Sequence, residues 1–177
     1  MSDRYARQVM LPHVGEAGQA RLAAAHVLVI GAGGLGCPGL QYLAGAGIGR
    51  ITVIDHDHVE ESNLNRQPLY AMSDIGSFKA QAARAALLRL NPTITVEALA
   101  QRLTPANAAA LVAGADVVVD AADSLAVTYT VNDASLQLGR PLISASAVGL
   151  AGYVGGFCGG APSYRAVFPD MPTRAAS

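Results

Sequence analysis

A mainly parallel α/β sheet with helices on both faces is the fold class this sequence predicts, from three observations. Short β-branched apolar runs recur along the chain, helical patterns alternate with them, and a glycine-rich turn joins the first run to the first long helix. Strand and helix in strict alternation give a doubly wound, Rossmann-like arrangement, because parallel neighbours need a crossover helix. With 177 residues, 51% of them hydrophobic, the chain is long enough for one domain with a substantial core.

Each element has its own signal. Residues 16–25 read as a short helix. His26–Ile30 is a buried strand and residues 34–44 a helix. Residues 51–55 form the second strand, 77–90 an amphipathic helix ended by Asn91-Pro92, and 94–99 the third strand. Thr104-Pro105 opens a helix, with Thr104 as cap and proline at the first position. The fourth strand is 116–120, the next helix is 126–138 with Gly139 as its stop, and the fifth strand is 142–145. Residues 152–158 read as one more strand. The chain divides into an N-terminal helical arm (1–25), a nucleotide-binding domain (26–160) and an aperiodic tail (161–177) with Pro162, Pro169 and Pro172. The tail reads as leading into a further segment rather than as the finished edge of a fold.

Composition excludes several classes. A net charge of -1 gives no general attraction to nucleic acid or anionic membrane, and 5% aromatic residues with no Trp leave little for base stacking. Two cysteines, Cys37 and Cys158, are too few for a disulfide framework and suit a reducing, cytoplasmic setting. Residues 27–49 are uncharged, but their glycines and Pro38 fit a strand, turn and helix better than a membrane span.

Gly31-Ala32-Gly33-Gly34-Leu35-Gly36 fits the G-x-G-x-x-G pattern between strand and helix, where unpaired N–H groups meet an anion. Asp55 ends the next strand 19 residues after Gly36, where a carboxylate accepts ribose hydroxyls. Together they indicate an adenine nucleotide without separating ATP from NAD or FAD.

The following segment, residues 55–67, is polar and lies at the carboxyl end of a parallel strand. Asn63, Arg66 and Gln67 supply donors there. Alone it reads as solvated surface; Lys79 tips the balance. A lysine in the first turn of a helix capped by Ser77 opposes the helix dipole, at about 0.3–1 kcal/mol, and a bound triphosphate would offset that. Asp123 follows the fourth strand at the same edge, and a carboxylate beside phosphates is the usual holder of Mg²⁺. Two cations, an amide-rich loop and one acidic residue suit a pyrophosphate leaving group better than hydride transfer.

These residues resemble the ThiF/MoeB/HesA family, bacterial relatives of the ubiquitin-activating enzymes. The resemblance rests on residues 4–8 (Arg-Tyr-Ala-Arg-Gln), the glycine turn, Asp55-His56-Asp57, Ser62-Asn63-Leu64-Asn65-Arg66-Gln67, Gly76-Ser77-Phe78-Lys79 and Asn132-Asp133-Ala134. It implies an ATP-dependent adenylyltransferase that converts the C-terminal glycine carboxylate of a ubiquitin-like sulfur carrier into an acyl-adenylate. It implies Gly34 and Asp55 at the adenosine, Asn63, Arg66 and Lys79 at the phosphates with Gln67 nearby, and Asp123 at Mg²⁺. Gly31, Gly33, Asp57, Ser62, Leu64, Asn65 and Ser124 complete the implied nucleotide-binding set, and Arg66, Lys79, Asp123 and Arg7 are the implied catalytic residues. Arg7 is implied to reach the phosphates of the neighbouring subunit across a homodimer.

The sequence also departs from the family pattern. Ser124 and Thr128 stand where asparagine and arginine are usual, and Tyr153 replaces a glutamine. Ser163 and Ala166 replace the cysteines of half a zinc site, so no structural zinc is expected. Cys37 reads as a packing residue, Cys158 lacks an evident partner, and His56 and His58 read as solvent-facing or supporting. Three other readings stay open: activation of another carboxylate such as a modified tRNA base, a non-catalytic nucleotide-binding homologue, and a dinucleotide-dependent oxidoreductase.

Overall fold

The computed structural model describes residues 3–169. A 3-10 turn at Asp3–Tyr5 leads into α1 (Ala6–Val9) and α2 (Gly15–Ala24), and the alternating body follows. Its elements are β1 (His26–Ile30), α3 (Gly36–Ala46), β2 (Arg50–Ile54), α4 (Lys79–Leu90), β3 (Thr95–Leu99), α5 (Pro105–Ala113), β4 (Val117–Asp120), α6 (Leu125–Gln137) and β5 (Leu142–Val148). A hairpin returns the chain as β6 (Ala151–Phe157), and α7 (Tyr164–Val167) closes the described part. The sheet order is β3-β2-β1-β4-β5-β6. Five strands are parallel, and β6 alone runs antiparallel, against β5. This is the doubly wound, Rossmann-like class expected.

The apolar runs are continuous because both faces of the central strands are covered. Val27, Val29, Ile51 and Val53 face α3 and α4, meeting Leu40, Ala44, Ala83 and Leu87. Leu28, Ile30, Ile54 and Val118 face the other way, meeting Ala108, Val112, Tyr129 and Val131 of α5 and α6. The side-chain alternation of β1 thus divides one strand between two cores.

Differences from the sequence reading are local. β5 runs to Val148 rather than stopping at Ala145, because its far half pairs in register with β6, from Ser144 opposite Gly155 to Val148 opposite Ala151. The tail, read as aperiodic, carries the four-residue helix α7, which is too short to show a period. Its Ser163 side chain accepts the Ala166 N–H, an N-cap. Pro172 and residues 173–177 lie outside the described residues.

Close approach fixes how the arm meets the sheet. A Cβ at Gly49 would collide with the backbone oxygen of Ala23, at the end of α2. Gly39, inside α3, has open space where a Cβ would go. Urea titrations are therefore expected to separate two glycines of similar sequence context. Gly49→Ala loses at least about 2 kcal/mol through overpacking, whereas Gly39→Ala gains about 0.5–1 kcal/mol from helix propensity.

Candidate functional site

The site lies where β1, β2 and β4 end side by side. Gly31 leaves β1 with φ +88°, a left-handed conformation open to glycine. Its N–H donates to Ile54 O (2.9 Å), and a Cβ there would lie 2.7 Å from the Ala121 carbonyl oxygen, after β4. A Cβ at Gly36 would collide with the Gly31 carbonyl, so the turn closes tightly on α3. Gly33 and Gly34 are different. Cβ atoms at these positions would meet Gln67 Nε2 at 3.8 Å and the Cγ, Cδ and backbone oxygen of Arg66 at 3.9 Å, all ordinary contact distances. Their bare flank faces the polar loop, forming a cradle that side chains would fill.

Asp55 joins the turn to that loop. Its Oδ2 accepts the Ala32 N–H and its Oδ1 the Asp57 N–H, both at 2.8 Å. The loop then folds on itself as a 3-10 turn, Glu61–Asn63. Asn63 Oδ1 accepts the Glu60 N–H at 3.4 Å, and Ser62 Oγ donates to Glu60 Oε2 at 3.2 Å. Leu64 packs into the core beneath. Arg66 is exposed, and its Nη1 donates to Ser62 O (3.0 Å) and Asn65 Oδ1 (3.2 Å). Gln67 is buried beside Gly33, and its Oε1 has no hydrogen-bond partner. A buried unpaired acceptor costs about 1–3 kcal/mol unless something donates to it.

Lys79 is only 8% exposed. It is the first residue of α4, and its N–H donates to Asp57 O at 2.8 Å. The N-cap is Phe78, with no side-chain cap, and not Ser77: the segment around Ser77 instead bridges residues 58–59. The expected dipole cost is met within the chain too, since Lys79 Nζ pairs with Asp57 Oδ2 at 3.4 Å. That pair is long, and Asp57 is half exposed.

Asp123 leaves β4 on an exposed loop, and among the described residues no hydrogen bond or ion pair engages its carboxylate. Ser124 is the N-cap position of α6 and accepts the Thr128 N–H through its carbonyl at 3.0 Å. A free carboxylate at this edge has the hard oxygen chemistry a divalent cation needs. A second acidic group, unforeseen as a set, is Asp55, His56 and Asp57, whose potential ligand atoms lie within 4.8 Å of one another. His56 Nε2 stands 3.2 Å from Asp57 Oδ1, while His58 stacks on Phe78 at 4.1 Å.

Arg7 is not part of this cluster within one chain. Tyr5 contacts Gly47 and accepts from Asn91 Nδ2 (2.8 Å), and Gln8 donates to Ala46 O (3.0 Å). The arm therefore sits at the C-terminal ends of α3 and α4. The length of α3, about 16 Å at 1.5 Å per residue, separates it from the glycine turn. Arg7 is exposed at that far end.

Two features escaped the sequence reading. Tyr70 is buried and donates to Ala32 O (2.7 Å), bracing the turn from below. Asp120, 1% exposed at the end of β4, accepts Ser144 Oγ–H at 3.0 Å. Only a tertiary contact reveals either. Cys158, which showed no partner in the sequence, lies against buried Asn132, 3.5 Å from its Oδ1.

The fold and this edge define a class: a Rossmann-like α/β domain whose polar site gathers at the carboxyl ends of its central strands. Among such domains, the chain belongs to the ThiF family, which it matches over residues 5–177. It is 50% identical over 170 residues to the adenylyltransferase and sulfurtransferase MOCS3 of Sus scrofa, covering 96% of this chain and 37% of that protein. It is 47% identical over 176 residues to the sulfur carrier protein adenylyltransferase of Thermus thermophilus, covering 96% of this chain and 65% of that one. The solved structure of E. coli MccB with ATP superposes with a TM-score of 0.82 at 29% identity, over 93% of this chain and 52% of that one. The chain thus spans between about a third and two thirds of the relatives it matches. Among the described residues no helix is long and apolar enough to cross a membrane.

Beneath the turn, burial pushes the Cys37 thiol up to about 11, against hydrogen bonds from Leu69 and Tyr70 that lower it. Its folded value lies above the ordinary thiol range near 8.5. The neutral thiol therefore contributes stability that is fully present below about pH 8.5 and lost as pH rises toward 11. Between pH 8 and 10.5, wild type is expected to lose stability in urea titrations faster than Cys37→Ala. Parallel pH profiles would contradict this.

Proposed function

We propose that the chain is the nucleotide-binding part of an ATP-dependent adenylyltransferase acting on the C-terminal glycine carboxylate of a ubiquitin-like sulfur carrier. The observation that carries this reading is the open flank of Gly33 and Gly34, faced by Arg66 and by Gln67 Nε2, beside the buried Lys79. Relatives named as sulfur carrier adenylyltransferases, and a structural neighbour solved with ATP, support it. Gln67 Nε2 can donate to a ligand oxygen, and phosphates suit a cradle bounded by glycine and cations.

The chemistry then follows from charge. A carboxylate oxygen of the carrier attacks the α-phosphorus of ATP, the α–β phosphoanhydride bond breaks, and pyrophosphate leaves with that bond's electrons. The attacking group is already ionised at neutral pH, so no general base is required. Arg66 and Lys79 stabilise charge that grows on the leaving oxygens. Asp55 orients the ribose, and Asn63 and Gln67 line the phosphate path. Asp123 would hold Mg²⁺, which supplies further charge neutralisation when bound.

A homodimer completes the site. Arg7 stands at the wrong end of its own fold to act in cis. The β5–β6 end of the sheet leaves Ile143 and Val154 exposed on the face that α3 and α4 cover elsewhere. That bare apolar strip fits a second copy better than water. The near-neutral charge and free cysteines suit a protein of the reducing cytoplasm.

Carrier-dependent exchange of labelled pyrophosphate into ATP, measured on the full-length chain, tests the reading. Lys79→Ala is expected to lower exchange by about 10²- to 10³-fold, the usual loss for one charge-stabilising group. Exchange that is independent of Lys79 would sink the assignment, and tight ATP binding with no exchange by wild type would point to a non-catalytic homologue. For the dimer, mixing inactive Arg7→Ala with inactive Lys79→Ala is expected to restore about a quarter of wild-type activity, since half the dimers carry one intact site. No recovery on mixing places Arg7 outside the site.

A further inference from the structure

Asp120 is a buried carboxylate for which the proposed chemistry has no use. It is 1% exposed, and its hydrogen-bond partners are neutral. Such a group is expensive to bury and is retained only where its hydrogen bonds hold something. Two contacts hold it. Oδ1 accepts the Ala122 N–H at 3.2 Å, within its own exit loop. Oδ2 accepts Ser144 Oγ–H of β5 at 3.0 Å. The far end of the loop is held separately, where Ser124 O accepts the Thr128 N–H at 3.0 Å and its hydroxyl at 3.4 Å.

The loop so held is 121–124, the span that carries Asp123. On its other side the Ala121 carbonyl fills the space beside Gly31, and Ala121 N–H donates to Ile30 O at 2.9 Å. The loop is thus wedged between the glycine turn and Asp120, while among the described residues no hydrogen bond or ion pair holds the Asp123 carboxylate. Behind Asp120 the support continues: Ser144 Oγ lies 3.5 Å from Tyr153 Oη, which donates to Tyr164 Oη at 3.0 Å. Burial pushes the Asp120 carboxyl above its usual range, against the hydrogen bonds from Ala122 and Ser144, which favour the ionised form.

We propose that Asp120 is a positioning residue, which through Ala122 and Ser144 sets the loop that presents Asp123 to the divalent cation of the nucleotide. This rests on the reading of Asp123 as the metal-holding carboxylate. Asp120 does not touch the metal, and its contribution passes through Asp123.

A double-mutant cycle in the full-length chain tests it, with Mn²⁺ as the probe ion and binding in the presence of ATP read by electron paramagnetic resonance. Asp123→Ala and Asp120→Ala are each expected to weaken Mn²⁺ binding by about tenfold or more, as loss of groups that orient a ligand does. The double variant should be no weaker than Asp123→Ala alone, since the first loss removes what the second acts through. Asp120→Asn keeps the acceptor for Ala122 and is expected to restore most of the affinity. Additive losses in the double variant overturn the inference while leaving Asp123 as a ligand. Unchanged Mn²⁺ binding by Asp123→Ala overturns the metal reading and this inference together. Should Asp120→Ala fail to fold, Ser144→Ala, which removes one hold on the carboxylate, enters the same cycle, and additivity there is equally decisive against it.

Discussion

Parallel pairing of β1 with β2 on one side and β4 on the other is the constraint from which the rest of the molecule follows. Val27 to Ile30 is in register with 51–54 and with 117–120, so three strands end at one level. Neighbouring strands lie about 4.8 Å apart, which brings the exits of β2 and β4 within roughly 10 Å of each other across β1. No side chain has to reach far for the glycine turn, the Asp55 loop and the Asp123 loop to share an edge. The cost is crowding at the β1 exit, visible at Gly31, where the Ala121 carbonyl occupies the place of a side chain. A larger residue there would push the β4 loop away and separate the two halves of the edge.

Charge at that edge is arranged economically. Lys79 is buried at the first position of α4, where the helix dipole disfavours it, and Asp57 holds its ammonium at 3.4 Å. Asp57 is half exposed, so water screens the pair and its worth is about 0–1 kcal/mol. A weak internal partner keeps Lys79 aimed without committing it. Under the proposed function, a triphosphate takes over a cation that is already desolvated and already oriented, so little reorganisation accompanies the transfer.

How much of this was legible in the sequence depended on the distance between cooperating residues. The Gly31–Gly36 turn, Asp55 and the alternation of strand with helix follow from patterns within about 30 residues, where strand period, helix period and turn chemistry all act locally, whereas the sheet order rests on pairings such as Val27 with Val117. The 55–67 loop was legible as polar, and its self-bonded fold follows from contacts such as Glu60 with Asn63, three residues apart. The misreading at Ser77 has the opposite cause. Ser77 looks like a cap from its neighbours alone, but its carbonyl is drawn into a bond with the Val59 N–H (2.9 Å), and α4 begins two residues later. Asp120 with Ser144, and Tyr70 with Ala32, join residues 24 and 38 positions apart, and no local pattern announces them. Arg7 was legible as a cation ahead of the core, yet its distance from the glycine turn is a property of where α3 ends.

That distance also orders the parts of the molecule. The arm is anchored by Tyr5, Gln8 and Gln19 to Asn91 and the Ala46 carbonyl, all at the foot of the sheet. The polar edge is at the top. A rigid anchor at the foot is needless if Arg7 is merely solvated, since an exposed arginine has no need of a defined origin. It becomes useful if the arm must present a cation outward at a fixed angle, because the entropy of a loose arm would otherwise oppose each engagement. The bare strip on β5 and β6 has the complementary property: it is apolar, and lies on strands rather than loops. Under the proposed function, a chain with a fixed outward cation at one end and an uncovered sheet face would offer a second copy both contacts at once.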